Sequence, residues 1–296
     1  MHNLSMVKAC HAHARGEPQR PASMPAWRTG DFTRLASEGK GGLAELLQLL
    51  GAGDAARCAD AQLPVAVRRK HEGEALFHEG APAEGIYFVR AGTFKLLRTG
   101  EDGYEQVLGF AGRGELLGFD AIGLGHYANE AIALEESSVY VVLLQDYFSV
   151  NPRIPELDGA VFRAVSAALQ QRGEMADMMA AVAAETRLAR FLLQLSRRMA
   201  AGGQSARCLH LRMGRRDIAS YLGVAHETVS RSFTSLVASG LISVNNRDVE
   251  ILDMAELRAF AQGTRRQPED GARQAVAARP RRWRPAAGTA QCAAGA

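Results

Sequence analysis

The chain has 296 residues, 47% of them hydrophobic, and a formal net charge of +3. That length suits two modest domains. No run of eighteen apolar residues occurs, which argues against a membrane-spanning helix, and no secretory signal is expected because the amino terminus lacks a continuous apolar stretch.

Residues 1–40 are rich in Pro, Gly, Ala, Arg and His without a sustained period, so a tail without a packed core is expected. Leu43, Leu46, Leu47 and Leu50 then fall on one face of a short helix. Between 41 and 150, short apolar segments alternate with glycines: EALFHEG, GIYFVRAGTFKLLRTG, EQVLGFAGRGELLGF and SSVYVVLL. This pattern predicts many short antiparallel strands in a barrel or roll, with the glycines at tight turns.

Residues 151–186 predict a long helix. Val161, Val165, Ala168, Arg172, Met175, Met179 and Val182 recur at spacings of 4, 3, 4, 3, 4 and 3, a heptad seam suited to a homodimer. The alternative is a helix packed on its own domain, for which a wider apolar stripe is usual. Arg172 would face its own copy across a two-fold axis. It would need a carboxylate there, such as Glu174 or Asp177 from the other copy.

Segment 187–262 carries eleven arginines against six acids, a local positive excess of the kind phosphate contacts require. A helix from 184 to 200 sets Leu188, Phe191, Leu192 and Leu195 on one face. Ile218 and Leu222 form the inner face of a short helix that Gly223 ends. Val229, Phe233, Leu236 and Val237 form that of a second helix, ended by Gly240. Two short helices about a glycine turn predict a helix-turn-helix. LISVNNRDVEIL then reads as two strands about Asn245-Asn246, a wing hairpin.

The outer face of the second helix carries Glu227, Ser230, Arg231 and Thr234 at i, i+3, i+4 and i+7. Arginine can bridge guanine O6 and N7, glutamate can accept from cytosine N4, and serine can pack near a thymine methyl. Glu227, Ser230 and Arg231 are therefore the expected base-reading residues. Arg215, Arg216, His226, Thr234 and Arg247 are expected at phosphates or in minor contacts. The competing reading is an intrahelical ion pair between Glu227 and Arg231 on a solvated face. Ala225 falls at the N-cap, where Ser or Thr is usual; their absence costs about 1 kcal/mol. Residues 263–296 form a basic, low-complexity tail, with seven arginines against Glu269 and Asp270.

These segments resemble the CRP/FNR family of bacterial transcription regulators, in its FNR-like, FixK-like branch. The resemblance runs from about Leu43 to Asp253. It rests on E-x-x-S-R at Glu227, Ser230 and Arg231, GELLGFDAIGLGH at Gly114 to His126, LSRRMA at Leu195 to Ala200, and GRRDIASYLG at Gly214 to Gly223. It implies an α+β fold: an N-terminal cyclic-nucleotide-binding-type β-roll, a long dimerisation helix and a C-terminal winged helix-turn-helix. It also implies a homodimer that binds double-stranded DNA at sites similar to TTGAT-N4-ATCAA, with half-sites about one DNA turn apart. RNA polymerase is the expected protein partner, with the loop Thr99 to Tyr104 as its candidate contact.

Two departures bear on cofactors. Family members that bind cyclic AMP hold its phosphate with Arg-Ser or Arg-Thr. Here the corresponding stretch, YANEAIALEE, has no arginine, and Glu130 and Glu135 would repel an anion. Members with an oxygen-sensitive 4Fe–4S cluster use N-terminal cysteines and one in the roll. Here the N-terminal part offers only Cys10, and the roll position falls on Tyr140. Neither cyclic AMP nor a 4Fe–4S cluster is expected. The four cysteines, Cys10, Cys58, Cys208 and Cys292, are scattered without a C-x-x-C pair. They suggest no disulfide framework and no closed metal site, and a reducing cytoplasm is expected. A weak metal site at Cys10, His11 and His13 ranks behind a plain tail, and an oxidation-sensing Cys208 behind an inert thiol. No nucleophile–base pairing, phosphate loop or H-E-x-x-H motif appears, so an enzyme is not expected. The alternative function is a ligand-sensing module whose helix-turn-helix has lost DNA binding and acts through protein partners.

Overall fold

The computed structural model describes residues 39–51, 63–150, 154–181 and 183–263; most of both expected tails, Cys10, Cys58, Cys292 and Val182 lie outside them. In chain order, β1 (Gly39–Gly41) and α1 (Leu43–Leu49) precede β2 (Val65–Lys70), β3 (Ala75–Phe77), β4 (Gly85–Ala91) and β5 (Phe94–Thr99). Then come β6 (Glu105–Ala111), β7 (Leu116–Leu117), α2 (Ala121–Leu124), β8 (Glu130–Ala133), β9 (Ser137–Leu143) and α3 (Leu144–Ser149). β1 starts inside the stretch expected as a tail and pairs antiparallel with β2.

The strands form two antiparallel sheets, β1-β2-β9-β4-β7 and β3-β8-β5-β6. β4 and β9 are rich in β-branched and aromatic residues, which fit a pleated surface buried on both sides. Ile86, Phe88, Val89, Val139 and Val142 are fully buried in the roll's core. Gly85 is required where β4 meets β9, because a Cβ there would lie 2.8 Å from the Val142 carbonyl oxygen. Leu46 and Leu47 of α1 close one end of this core.

α4 (Pro155–Ala180) begins with a proline, whose fixed φ suits a first helical turn, and with Glu156 and Asp158 near the positive end of the helix dipole. Its expected seam residues share one face but differ in exposure within the single chain. Val161 packs half-buried on the roll, Met175 packs on the core of the C-terminal domain, and Met179 receives a hydrogen bond from Arg187. Phe162, Val165 and Leu169 stand outward instead, 72%, 41% and 63% exposed, with Arg172 exposed below them. The outward apolar stripe is rotated by part of a turn from the seam, with Val165 and Arg172 in common. Within the chain, Glu174 accepts a hydrogen bond from Gln194 at 2.7 Å.

The remaining elements are α5 (Ala184–Ala201), β10 (Cys208–His210), α6 (Arg215–Leu222), α7 (His226–Ala238), β11 (Ile242–Asn245), β12 (Asp248–Ile251) and α8 (Met254–Gln262). Leu188 and Leu192 of α5 anchor a second core with Ile218, Leu222, Leu236 and Ile251. Val107 and Phe110 of β6 also belong to it, so the two domains share a boundary along that strand. Leu236 is fully buried. Leu236→Ala is expected to cost about 2–5 kcal/mol, since the truncated methyls leave a cavity that neighbours fill only in part. Urea unfolding followed by circular dichroism reads that loss.

Candidate nucleic-acid interface

α6 opens at Gly214, whose N–H donates to the Asp217 carboxylate at 3.0 Å. This satisfies one of the donors that a helix start leaves free. The helix stops at Gly223, where φ is +62°. A side chain in that left-handed region costs about 1–2 kcal/mol, so glycine permits the turn. α7 follows with Ala225 at its N-cap and no side-chain cap, as expected.

α7 is seated by Val229, Ser232, Phe233 and Leu236, at i, i+3, i+4 and i+7. Val237, expected in this face, is 43% exposed, and Ser232 takes the fourth buried place. The Ser232 hydroxyl donates to the Thr228 carbonyl at 2.8 Å, so its burial leaves no polar group unmet.

Across the helix, Glu227, Ser230, Arg231 and Thr234 are all exposed. Arg231 Nη2 lies 3.4 Å from Thr228 Oγ1, and no Arg231–Glu227 ion pair occurs among the described residues. The competing ion-pair reading therefore finds no support. Ser230 and Thr234 turn their hydroxyls back to carbonyls one helical turn earlier. Arg216 and His226 are exposed at the starts of the two helices, and Arg247 is exposed on the wing.

The wing turn falls one residue later than expected. Asn245 pairs with Asp248, leaving Asn246 and Arg247 as the tip. Asn246 has φ +53°, a conformation asparagine tolerates better than other side chains. Arg215, expected at a phosphate, is turned inward. Its guanidinium lies 3.4 Å from the Phe233 ring centroid, and Nη2 donates to the Asn246 carbonyl at 3.4 Å. A flat cation stacks well on a ring face, so Arg215 braces the wing against α7. Burial lowers its pKa, and Nη1 is buried without a partner. A hollow of about 340 Å³ lies beside it, between α7 and β11, lined by Ser230, Thr234 and Val244 among others.

Two features of the roll bear on the cofactors considered above. Tyr140 is buried, and its hydroxyl donates to Glu45 of α1 at 2.8 Å. Burial and then the Glu45 carboxylate raise the Tyr140 pKa, so the residue stays a neutral donor. The acids of the YANEAIALEE stretch are paired within the fold. Glu130 meets His78 at 2.7 Å, and Glu135 meets Thr93 at 2.9 Å and Arg212 at 2.8 Å. The Phe77 and Tyr127 rings stack at 4.2 Å beside them, with Tyr87 against both.

A β-roll carrying a helix-turn-helix with an exposed polar reading face and a wing defines a DNA-binding transcription regulator. Residues 67–150 match the family model of the cyclic nucleotide-binding domain, and residues 186–260 that of the Crp-like helix-turn-helix domain. The chain is 36% identical over 207 residues to the fumarate and nitrate reduction regulatory protein of Escherichia coli K12, covering 69% of this chain and 83% of that one. It is also 36% identical over 192 residues to the transcriptional activator protein Anr of Pseudomonas aeruginosa, covering 65% and 79%. FixK2 from Bradyrhizobium japonicum shares the fold, with a TM-score of 0.61 at 24% identity, over 68% of this chain and 99% of that one. The chain belongs to the CRP/FNR family of transcription regulators. Its relatives are regulators, not enzymes. Among the described residues no helix is long and apolar enough to cross a membrane.

Proposed function

We propose that this regulator binds palindromes similar to TTGAT-N4-ATCAA as a cytoplasmic homodimer and acts through RNA polymerase. The observation that carries the proposal is the exposed Glu227, Ser230 and Arg231 face of α7. Arg231 supplies a fork for guanine, Glu227 an acceptor for the paired cytosine, and Ser230 a small surface for a neighbouring thymine. Thr234, Arg216, His226 and Arg247, all exposed, would supply the phosphate or minor contacts.

Dimerisation rests on the Phe162, Val165 and Leu169 stripe of α4. Three large apolar side chains in register on one exposed helix face call for a cover, and a second copy supplies an identical stripe. A two-fold protein then meets a two-fold site. For polymerase, the turn Thr99 to Tyr104 projects from the roll and is exposed along its length.

Gel-shift titration with the palindromic duplex against a scrambled one tests the function. Equal affinity for both sinks it. Arg247→Ala should weaken binding to all sequences alike. It should also lower the slope of log K against log salt by about 2, one for each protomer, since each phosphate that a cation neutralises releases its counterions.

Neither family cofactor fits these residues. A cluster needs thiolates, and the roll position holds a tyrosine already bonded to Glu45. A cyclic phosphate needs a cation or converging N–H groups, and its segment carries no cation of its own, while Arg212 beside it is already taken by Glu135.

A further inference from the structure

We propose that Ser220 is a positioning residue that fixes the angle of the reading domain on the roll, and with it the half-site spacing the dimer accepts. The inference rests on the dimeric, palindrome-reading function proposed above.

β6 is the outer strand of its sheet, and an edge strand leaves a row of backbone groups without partners. Here α6 covers them. The Ser220 hydroxyl donates to the Glu105 carbonyl at 2.9 Å and accepts from the Val107 N–H at 2.9 Å. Tyr104 Oη donates to the same oxygen at 3.4 Å, and Gln106 Nε2 donates to the Ser220 carbonyl at 2.6 Å. A hydroxyl has one proton and two lone pairs, and all three are used on the roll. One turn earlier, Lys95 of β5 meets Asp217 of α6 at 2.9 Å, each side chain 18% exposed. One residue later, the Tyr221 ring packs 5.4 Å from that of Phe110. Arg198 of α5 binds both Glu115 and the Phe110 carbonyl.

This contact orients the reading domain without blocking it. None of the base-reading residues lies on α6, and Glu227, Ser230 and Arg231 stay exposed in the docked arrangement. Among the described residues the domain is also held by Arg212, which meets Glu135 of the roll at 2.8 Å, and at the end of α4. There Met178 enters the second core, and Arg187 donates to the Ala181 carbonyl at 2.8 Å and the Leu222 carbonyl at 3.0 Å. The chain is extended at Ala181 and Ala183, with ψ of 128° and 132°. A body held only at such a junction can turn about it; the holds on the roll, among which Ser220 makes four hydrogen bonds, remove that rotation. The outward stripe Phe162 to Leu169 lies on the part of α4 that packs on the roll. The roll therefore carries the two-fold axis, and the angle of each reading domain sets the separation of the two α7 helices.

The test compares duplexes whose TTGAT and ATCAA half-sites are three, four or five base pairs apart, with a scrambled duplex as baseline. Wild-type protein should favour the four-base-pair spacer by about tenfold or more. Ser220→Ala strands the Val107 N–H and the Glu105 carbonyl, shifting the docked state by roughly 5–150-fold. Its spacer preference should fall below about threefold, with binding to scrambled DNA unchanged. Ser220→Thr keeps the hydroxyl and should restore the preference. A Ser220→Ala protein with wild-type spacer ranking overturns the inference and leaves the proposed function standing, even if its melting temperature falls. A wild-type protein that treats palindrome and scrambled DNA alike overturns both.

Discussion

Arg231→Ala is expected to remove the proposed preference for the palindrome while leaving the fold intact. Arg231 is exposed on α7, and its hydrogen bond to Thr228 is 3.4 Å long. Losing it costs the domain little, and surface changes of this kind usually stay within about 0.5 kcal/mol. On DNA the effect is large. A bidentate arginine–guanine pair discriminates by about 1–3 kcal/mol, and a two-fold dimer makes the contact twice. The expected drop in specific affinity is therefore about 2–6 kcal/mol, or thirtyfold upward. Binding to scrambled DNA and its salt slope should barely change, because phosphates rather than bases supply that term. Arg231→Lys should fail nearly as badly, since a point charge cannot bridge two acceptors in one plane. Titrations of all three proteins on both duplexes, at two salt concentrations, check this. An alanine variant that still ranks the palindrome first assigns base reading elsewhere.

Much of this architecture is legible in the sequence where the determining contacts are local. The Leu46 and Leu47 face, the stop at Gly223 and the Val229, Phe233 and Leu236 stripe all follow from residues within a turn or two of each other. Two kinds of error remain. Ser232 is buried and Val237 is not, because a helical hydroxyl can bond its own backbone and then pack like an apolar group. A reading that sorts residues by polarity misses this. The outward face of α4 is also ambiguous by periodicity. Val161, Ala168 and Met175 repeat every seven residues, while Phe162 and Leu169 repeat at the same interval one residue on. Both series suit a helix, and which one turns inward depends on the domains it must hold. The Ser220 and Lys95 contacts had no local signal at all. They join residues 113 and 122 positions apart across a docked edge strand.

Leu169→Glu should convert the protein to a monomer without unfolding it. Leu169 is 63% exposed in the single chain, so a carboxylate there keeps its water and the fold loses little packing. In a dimer the same position lies near its own copy. Burying a leucine contributes about 1.5–3 kcal/mol, so losing one from each protomer removes about 3–6 kcal/mol of association. Facing carboxylates add repulsion. Association itself costs about 4–15 kcal/mol in lost freedom, so an interface built on a short stripe has little surplus to absorb the change. The dissociation constant should rise by at least about a hundredfold, and palindrome binding should collapse toward that of a single half-site. Val161→Glu is the contrasting variant. Val161 packs half-buried on the roll, so a charge there should lower the melting temperature first. Sedimentation equilibrium and thermal melts of both proteins separate the two sides of α4. A Leu169→Glu protein that remains dimeric at micromolar concentration places the two-fold contact away from this stripe.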